Sequence, residues 1–329
     1  AELRQQTGWG AKKLQVLLQK EQGVELPVRT IHRIIERRGM IGDAVHGPAP
    51  QRFERSAPNE LWQMDSKGKY PLSDGECHPL SILDDHSRYV VGLYALHELK
   101  TEQAYPYLVQ TFQRHGLPEA MLMDHGALWW STSNGWGLTW LSVRLIEQGI
   151  RLLYGRVCHP QTQGKVERFH RTLGAAMRHQ GVPERIGEWG AALDRFRQSY
   201  NQRRPHEALG MQRPADRYRN SARAYQEQPA EWVYPEGSEV RRLNTQGSLV
   251  EGRQRWFVCK SLEGQRVRLE RFDHKLLVSY RHMYIREVDL LTGESRSLVV
   301  ARATSQGVTN YRCKGCPGTR CKVSRGNEH

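Results

Sequence analysis

Between Leu61 and Tyr200 the spacing of apolar residues changes in a fixed order, and that order constrains the fold more than any other feature of the chain. Three strand-like runs come first, Leu61 to Tyr70, Cys77 to Leu83 and Arg88 to Leu96, separated by Asp74-Gly75 and by Asp84 to Ser87. Connections this short join antiparallel neighbours. A helical pattern over about 101–115 follows, then a strand from Glu119 to Met123, a helix over about 138–148 and a strand over 150–154. Helices over about 164–180 and 184–200 complete the stretch. The order βββ-α-β-α-β-α-α predicts an α/β domain with a mixed sheet.

The flanks read differently. Leu14, Leu17 and Leu18 share one face of a helix over 10–22, which Gly23 ends. Pro27 precedes a second helix over about 28–38, expected to bury Ile31, Ile34 and Ile35 and to expose Arg29, Thr30, His32, Arg33 and Arg37. Two short helices with a basic second member suggest a helix-turn-helix that enters a DNA groove, the alternative being a plain helical hairpin. Beyond Trp232, short alternating runs are broken at Gly247, Gly252, Gly264 and Asp273-His274, which suggests a small β-barrel. The expected organisation is a helix-turn-helix domain at 1–42, a linker at 43–58, a catalytic core at 59–201, a second linker at 202–230, the barrel at 231–291 and a tail at 292–329.

Charge follows the same partition. The chain carries +14 overall, with +4 on residues 1–55, 0 on 56–200 and +10 on 201–329. A neutral middle between basic ends suits arms that bind a polyanion, most commonly nucleic acid, although basic surface also serves solubility alone. No run approaches the ~18 consecutive apolar residues of a membrane-spanning helix. Six cysteines in 329 residues are too few for a disulfide scaffold, so a reducing cytoplasm is the expected compartment. The chain opens Ala1-Glu2-Leu3 with neither an initiator methionine nor an apolar leader, as expected of a fragment or a processed product.

Three acids interrupt these patterns. Asp65 breaks a strand of apolar residues, where a carboxylate is unfavourable without a use. Asp124 ends the fourth strand, at the sheet end where α/β sites gather. Glu167 lies near the start of a helix and off its apolar stripe of Val166, Phe169, Leu173 and Met177. Three gathered carboxylates repel one another, and a hard divalent cation such as Mg²⁺, or Mn²⁺ in its place, relieves that penalty. Two such ions can activate an attacking oxygen and stabilise a leaving one at a phosphodiester.

Trp62-Gln63-Met64-Asp65, Leu83-Asp84-Asp85-His86-Ser87-Arg88, Asp124-His125-Gly126 and above all His159-Pro160-Gln161-Thr162-Gln163-Gly164-Lys165-Val166-Glu167-Arg168-Phe169-His170-Arg171-Thr172-Leu173 resemble the integrase core of DDE-type transposases from bacterial insertion sequences, and retroviral integrases as well. Tyr200-Asn201-Gln202-Arg203-Arg204-Pro205-His206-Glu207-Ala208-Leu209 is similar to the stretch that follows that core. The resemblance covers about residues 10–291. It implies a ribonuclease-H-like core with a mixed five-stranded sheet, and Asp65, Asp124 and Glu167 as a catalytic triad holding two Mg²⁺ ions. It also implies cleavage at transposon ends and strand transfer into double-stranded target DNA by a homo-oligomer. The 42 residues between Asp124 and Glu167 exceed the usual retroviral spacing, with the surplus expected in the stretch from Trp129 to Gly137. His125 departs from the Asn that often follows the second Asp.

Other residues invite competing readings. Asp84 and Asp85 sit at a turn and suit backbone capping better than metal binding. Lys165, Arg168 and Arg171 flank the third carboxylate and are expected, with Gln161, to contact DNA, as are Arg29, Thr30 and Arg33 on the second helix. His159, His170 and His206 suit contacts to DNA or to residues around the ligands. Trp129, Trp130, Trp136 and Trp140 suit packing. Cys313, Cys316 and Cys321, with His329, match the spacing of no common zinc module. A ribonuclease-H-like nuclease without joining activity, and a DNA-binding regulator with idle carboxylates, are the competing functions.

Overall fold

A computed structural model describes residues 1–40, 54–124, 126–131, 137–154, 164–251 and 254–299. Three helices form the N-terminal unit: α1 (Glu2–Thr7), α2 (Ala11–Gln22) and α3 (Val28–Arg37). Trp9, Leu14, Leu17, Ile31 and Ile35 make its core. Ile34, expected inside, is 41% exposed. The unit packs α3 against a single narrow stripe on α2, which Ile31 and Ile35 already fill. Gly23, with φ 67°, closes α2 by returning its N–H to Gln19 O, as a left-handed cap does.

The central domain contains β1 (Trp62–Ser66), β2 (Tyr70–Leu72), β3 (Gly75–Asp84), β4 (Val90–Leu96), α4 (Thr101–His115) and β5 (Ala120–Met123). A small hairpin, β6 (Trp130–Ser131) and β7 (Gly137–Leu138), precedes α5 (Trp140–Glu147), β8 (Arg151–Tyr154), α6 (Gly164–Gln180) and α7 (Ile186–Gln202). The sheet order is β4-β3-β1-β5-β8, with β2 extending the β1 edge of β3. β1, β3 and β4 are antiparallel, while β5 and β8 run parallel to β1. The mixed sheet expected from the pattern is present. The expected first run splits into β1 and β2 around Gly68, whose φ of 78° ends the extended backbone.

Alternation along the strands sorts side chains onto two faces. Trp62, Met64, Leu80 and Ile82 pack with α4 and α5 residues such as Leu108, Phe112, Leu141 and Leu145. Cys77, Leu83, Val90 and Leu93 pack under Phe169, Leu173 and Met177 of α6 and Trp189 and Leu193 of α7. Asn201 fixes α7 to β4 by accepting from Val90 N at 2.9 Å and donating to Val90 O at 3.0 Å.

Residues 202–230 lie along this domain. They include α8 (Pro214–Arg217), Tyr218 stacked on Tyr89 at 4.2 Å, and Arg223, which donates to Gln148 O and Gly149 O. The C-terminal strands are β9 (Glu239–Arg242), β10 (Ser248–Glu251), β11 (Gln254–Phe257), β12 (Arg266–Phe272), β13 (Lys275–Tyr280), β14 (Met283–Asp289) and β15 (Ser295–Ser297). The expected closed barrel is not formed among the described residues. β15-β14-β13-β12-β9 is an open antiparallel sheet, with β10-β11 as a separate hairpin. Its edge strands have only four and three residues, too few to bend round and pair. The apolar face is instead covered by Leu249 and Trp256 of the hairpin, continuous with the central core. The sheet also runs to Ser297, beyond the expected end at 291.

Candidate active site

β1 places Asp65 on the α6 side of the sheet, two residues beyond Gln63 and opposite Ser81 of β3. β5 is the parallel neighbour of β1, with Gln63 level with Leu122. Continuing that register puts Asp124 level with Asp65, on strands about 4.8 Å apart. Glu167 is exposed in the first turn of α6.

Each strand carboxylate is held by local donors. Asp65 Oδ1 accepts from Ser66 N at 2.8 Å. Asp124 Oδ1 accepts from Gly126 N at 2.8 Å and from Trp129 Nε1 at 2.6 Å. Gly126 is needed for that approach, because a β-carbon there would lie 2.8 Å from Asp124 Oδ1. Burial pushes the Asp65 carboxyl up to about 7, and the negative charges of Asp124 and Glu167 add to the rise against the opposing Ser66 N–H. Asp65 therefore lies within the influence of both other acids.

His170 of α6 lies beside them. Its Nδ1 is 3.8 Å from Asp65 Oδ2, and its Nε2 bonds Ser81 Oγ, which donates to Asp65 O at 3.0 Å. Burial, reinforced by Lys67, drives the imidazole down to about 4, so it is neutral near pH 7 and brings no counter-charge. Among the described residues, no three His, Cys, Asp or Glu side chains stand close enough to form a finished metal cage. The donor chemistry nonetheless fits a hard cation, with oxygen ligands only and an Asp65 carboxyl whose ionisation burial and the two other acids oppose until a cation offsets them.

The other expected residues divide. Lys165 Nζ is 2.6 Å from Asp85 Oδ2, so its charge is directed into the protein rather than toward a phosphate. Burial lowers its ammonium to about 8, with Asp85 opposing. Arg168 and Arg171 are exposed on α6, and Arg29 and Arg33 on α3, while Thr30 is half-buried. Gln161, His159, His125, Trp136 and the cysteines at 313, 316 and 321 lie outside the described residues. His206 is driven down to about 3 by burial and neighbouring cations, Arg88 foremost. Asp84 caps its turn as expected, accepting from Ser87 N at 2.8 Å and Asn59 N at 2.7 Å. Trp129 and Trp130 are buried, whereas Trp140 is 45% exposed. Reading Trp129 as packing alone missed its bond to Asp124. Its place five residues beyond that acid, past a glycine turn, was the available clue.

Integrase core domain family models match residues 55–160 and 148–214, which include all three acids and the elements that carry them. Residues 55–214 thus match integrase core domain models. The IS407 insertion-element protein of 31.7 kDa from Burkholderia multivorans is 22% identical over 221 residues, covering 63% of this chain and 74% of that protein. Among solved structures, the chain is similar to the HTLV-2 integrase catalytic core domain in complex with magnesium, at 15% identity and a TM-score of 0.38 over 50% of this chain and 99% of that one. The BIV integrase catalytic core is 24% identical with a TM-score of 0.37, over 48% and 92%. The simian T-cell lymphotropic virus intasome chain is 14% identical with a TM-score of 0.45, over 92% and 99%. Among the described residues no helix is long and apolar enough to cross a membrane.

Proposed function

We propose that this chain is an insertion-sequence transposase that cuts DNA at element ends and joins them to target DNA. The observation that carries this reading is the raised proton affinity of Asp65, caused by burial and by the charges of Asp124 and Glu167. Acids that raise the proton affinity of Asp65, with no cation among the partners described for it, suit a bound metal ion. Asp65, Asp124 and Glu167 would hold Mg²⁺, or Mn²⁺ in its place, as a two-ion site. Bound there, the ions supply Lewis-acid activation of the attacking hydroxyl and stabilisation of the leaving oxygen.

The chain's own residues set up the rest. Trp129 and Gly126 hold Asp124 in one orientation, and Ser66 does the same for Asp65. His170, neutral and tied to Ser81, leaves the negative field intact. In strand transfer a 3′-hydroxyl oxygen bonds to phosphorus while the target strand's 3′ oxygen leaves. One phosphodiester replaces another, so neither a covalent enzyme intermediate nor an external energy source is needed. Arg168 and Arg171 flank the site as phosphate contacts, Gln161 joins them, and Arg29, Thr30 and Arg33 present α3 to end DNA. Joining two ends together requires at least a dimer.

The test is incubation of the chain with end-sequence duplexes and Mg²⁺, with mapping of 3′ ends and of joined products. Joined products support the reading. Hydrolysis without joining points to a nuclease, and binding that is indifferent to Mg²⁺ with no cleavage points to a regulator.

A further inference from the structure

Asp85 is completely buried, and its carboxylate gathers three donors from separate parts of the chain. Gln63 Nε2 donates to its Oδ1 at 2.7 Å, Arg55 N to its Oδ2 at 2.9 Å, and Lys165 Nζ stands 2.6 Å from Oδ2. Gln63 is two residues before Asp65, and Lys165 is two residues before Glu167. One carboxylate thus links the strand that carries the first acid to the helix that carries the third.

The link also sets a register. Helix α6 runs alongside β1 in the same direction, with contacts at three levels. Lys165 meets Gln63 through Asp85, His170 meets Asp65, and Gly174 makes room for Lys67, whose Cε would lie 3.1 Å from a β-carbon at that glycine. From Lys165 to His170 the helix rises about 7.5 Å, and from Gln63 to Asp65 the strand rises about 6.7 Å. The two rises nearly match, so fixing the Lys165 level fixes where Glu167 falls along the strand.

We propose that Asp85 and Lys165 are positioning residues that set Glu167 against Asp65 by locking the first turn of α6 to β1. This rests on the reading of Asp65, Asp124 and Glu167 as one cation site. The lock acts in the first turn of α6, where Val166 is buried but Glu167 itself is exposed. A salt link of this kind leaves DNA contacts to Arg168 and Arg171, one position past Glu167 and further along the helix.

The experiment is calorimetric titration of Mn²⁺ into the full chain, without DNA, for the wild type, Glu167→Gln, Lys165→Met, Lys165→Arg and the double variant Asp85→Asn/Lys165→Met. The double variant removes both partners of the ion pair together, so it keeps more of its stability than Lys165→Met, which leaves Asp85 buried without its cation. Lys165→Met and the double variant should weaken Mn²⁺ binding about tenfold, and Lys165→Arg should restore it to within about twofold. Wild-type Mn²⁺ affinity in the folded double variant would overturn the positioning role, as would failure of Lys165→Arg to restore it. If Glu167→Gln itself bound Mn²⁺ like the wild type, the cation-site reading would fall instead.

Discussion

The raised proton affinity of Asp65 makes a contribution to the metal-free chain's stability that falls as pH rises, and Asp65→Asn should abolish that contribution. The sign follows from linkage. The folded state holds the Asp65 proton up to about 7, whereas the unfolded chain releases it near 3.8. Between those values the folded state binds more protons, so unfolding free energy falls with increasing pH. At 1.36 kcal/mol per tenfold change, the full effect is on the order of 4 kcal/mol, of which about 2.5 kcal/mol falls between about pH 5 and pH 8. His170 and His206, driven down to about 4 and about 3, act in the opposite sense. Their stability is complete above the unfolded imidazole range near 6.5 and is lost as pH falls through it. They are present in both proteins and cancel in the difference. The assay is urea unfolding of wild type and Asp65→Asn across that range in chelator, repeated with Mg²⁺. The wild type should fall relative to the variant by about 2.5 kcal/mol, and Mg²⁺ should recover stability at the alkaline end in the wild type alone. Equal pH slopes for the two proteins would refute the reasoning.

Trp129→Phe keeps the buried ring but removes the donor to Asp124, and should cost about 1 kcal/mol of stability and about tenfold in strand transfer, read by unfolding and by product yield. Arg29→Ala and Arg33→Ala, both on the exposed face of α3, should each weaken end-DNA binding and lower the salt slope of log K by about one, measured by anisotropy at several salt concentrations. Asn201→Leu removes both bonds to the Val90 backbone and leaves a buried N–H and C=O unpaired, so melting should show a loss of about 2–4 kcal/mol.

Local pattern carried the central domain well. The change from alternating to helical spacing located β1, β3, β4, β5, β8 and four helices, because each buries one face against a sheet whose neighbours are close in the chain. The acids stood out because they broke that pattern. What depended on distant partners was not readable. Lys165 looked like a phosphate contact until its partner Asp85, 80 positions away, was placed beside it. Trp129 looked like core because nothing in its own segment marks the distance to Asp124. The C-terminal strands were recognisable one by one, but closure depends on the lengths of the two edge strands and on what covers the face. Here a hairpin supplies the cover, so the sheet stays open.

The most direct measurement compares strand transfer of a precleaved end duplex by Asp65→Asn, Asp124→Asn, Glu167→Gln and the triple variant, with end-DNA binding recorded alongside. If the three oxygen donors work as one unit around shared ions, each single change should reduce joining as deeply as all three together while binding persists. Joining that survives in the triple variant, or single losses that merely multiply, would contradict the account.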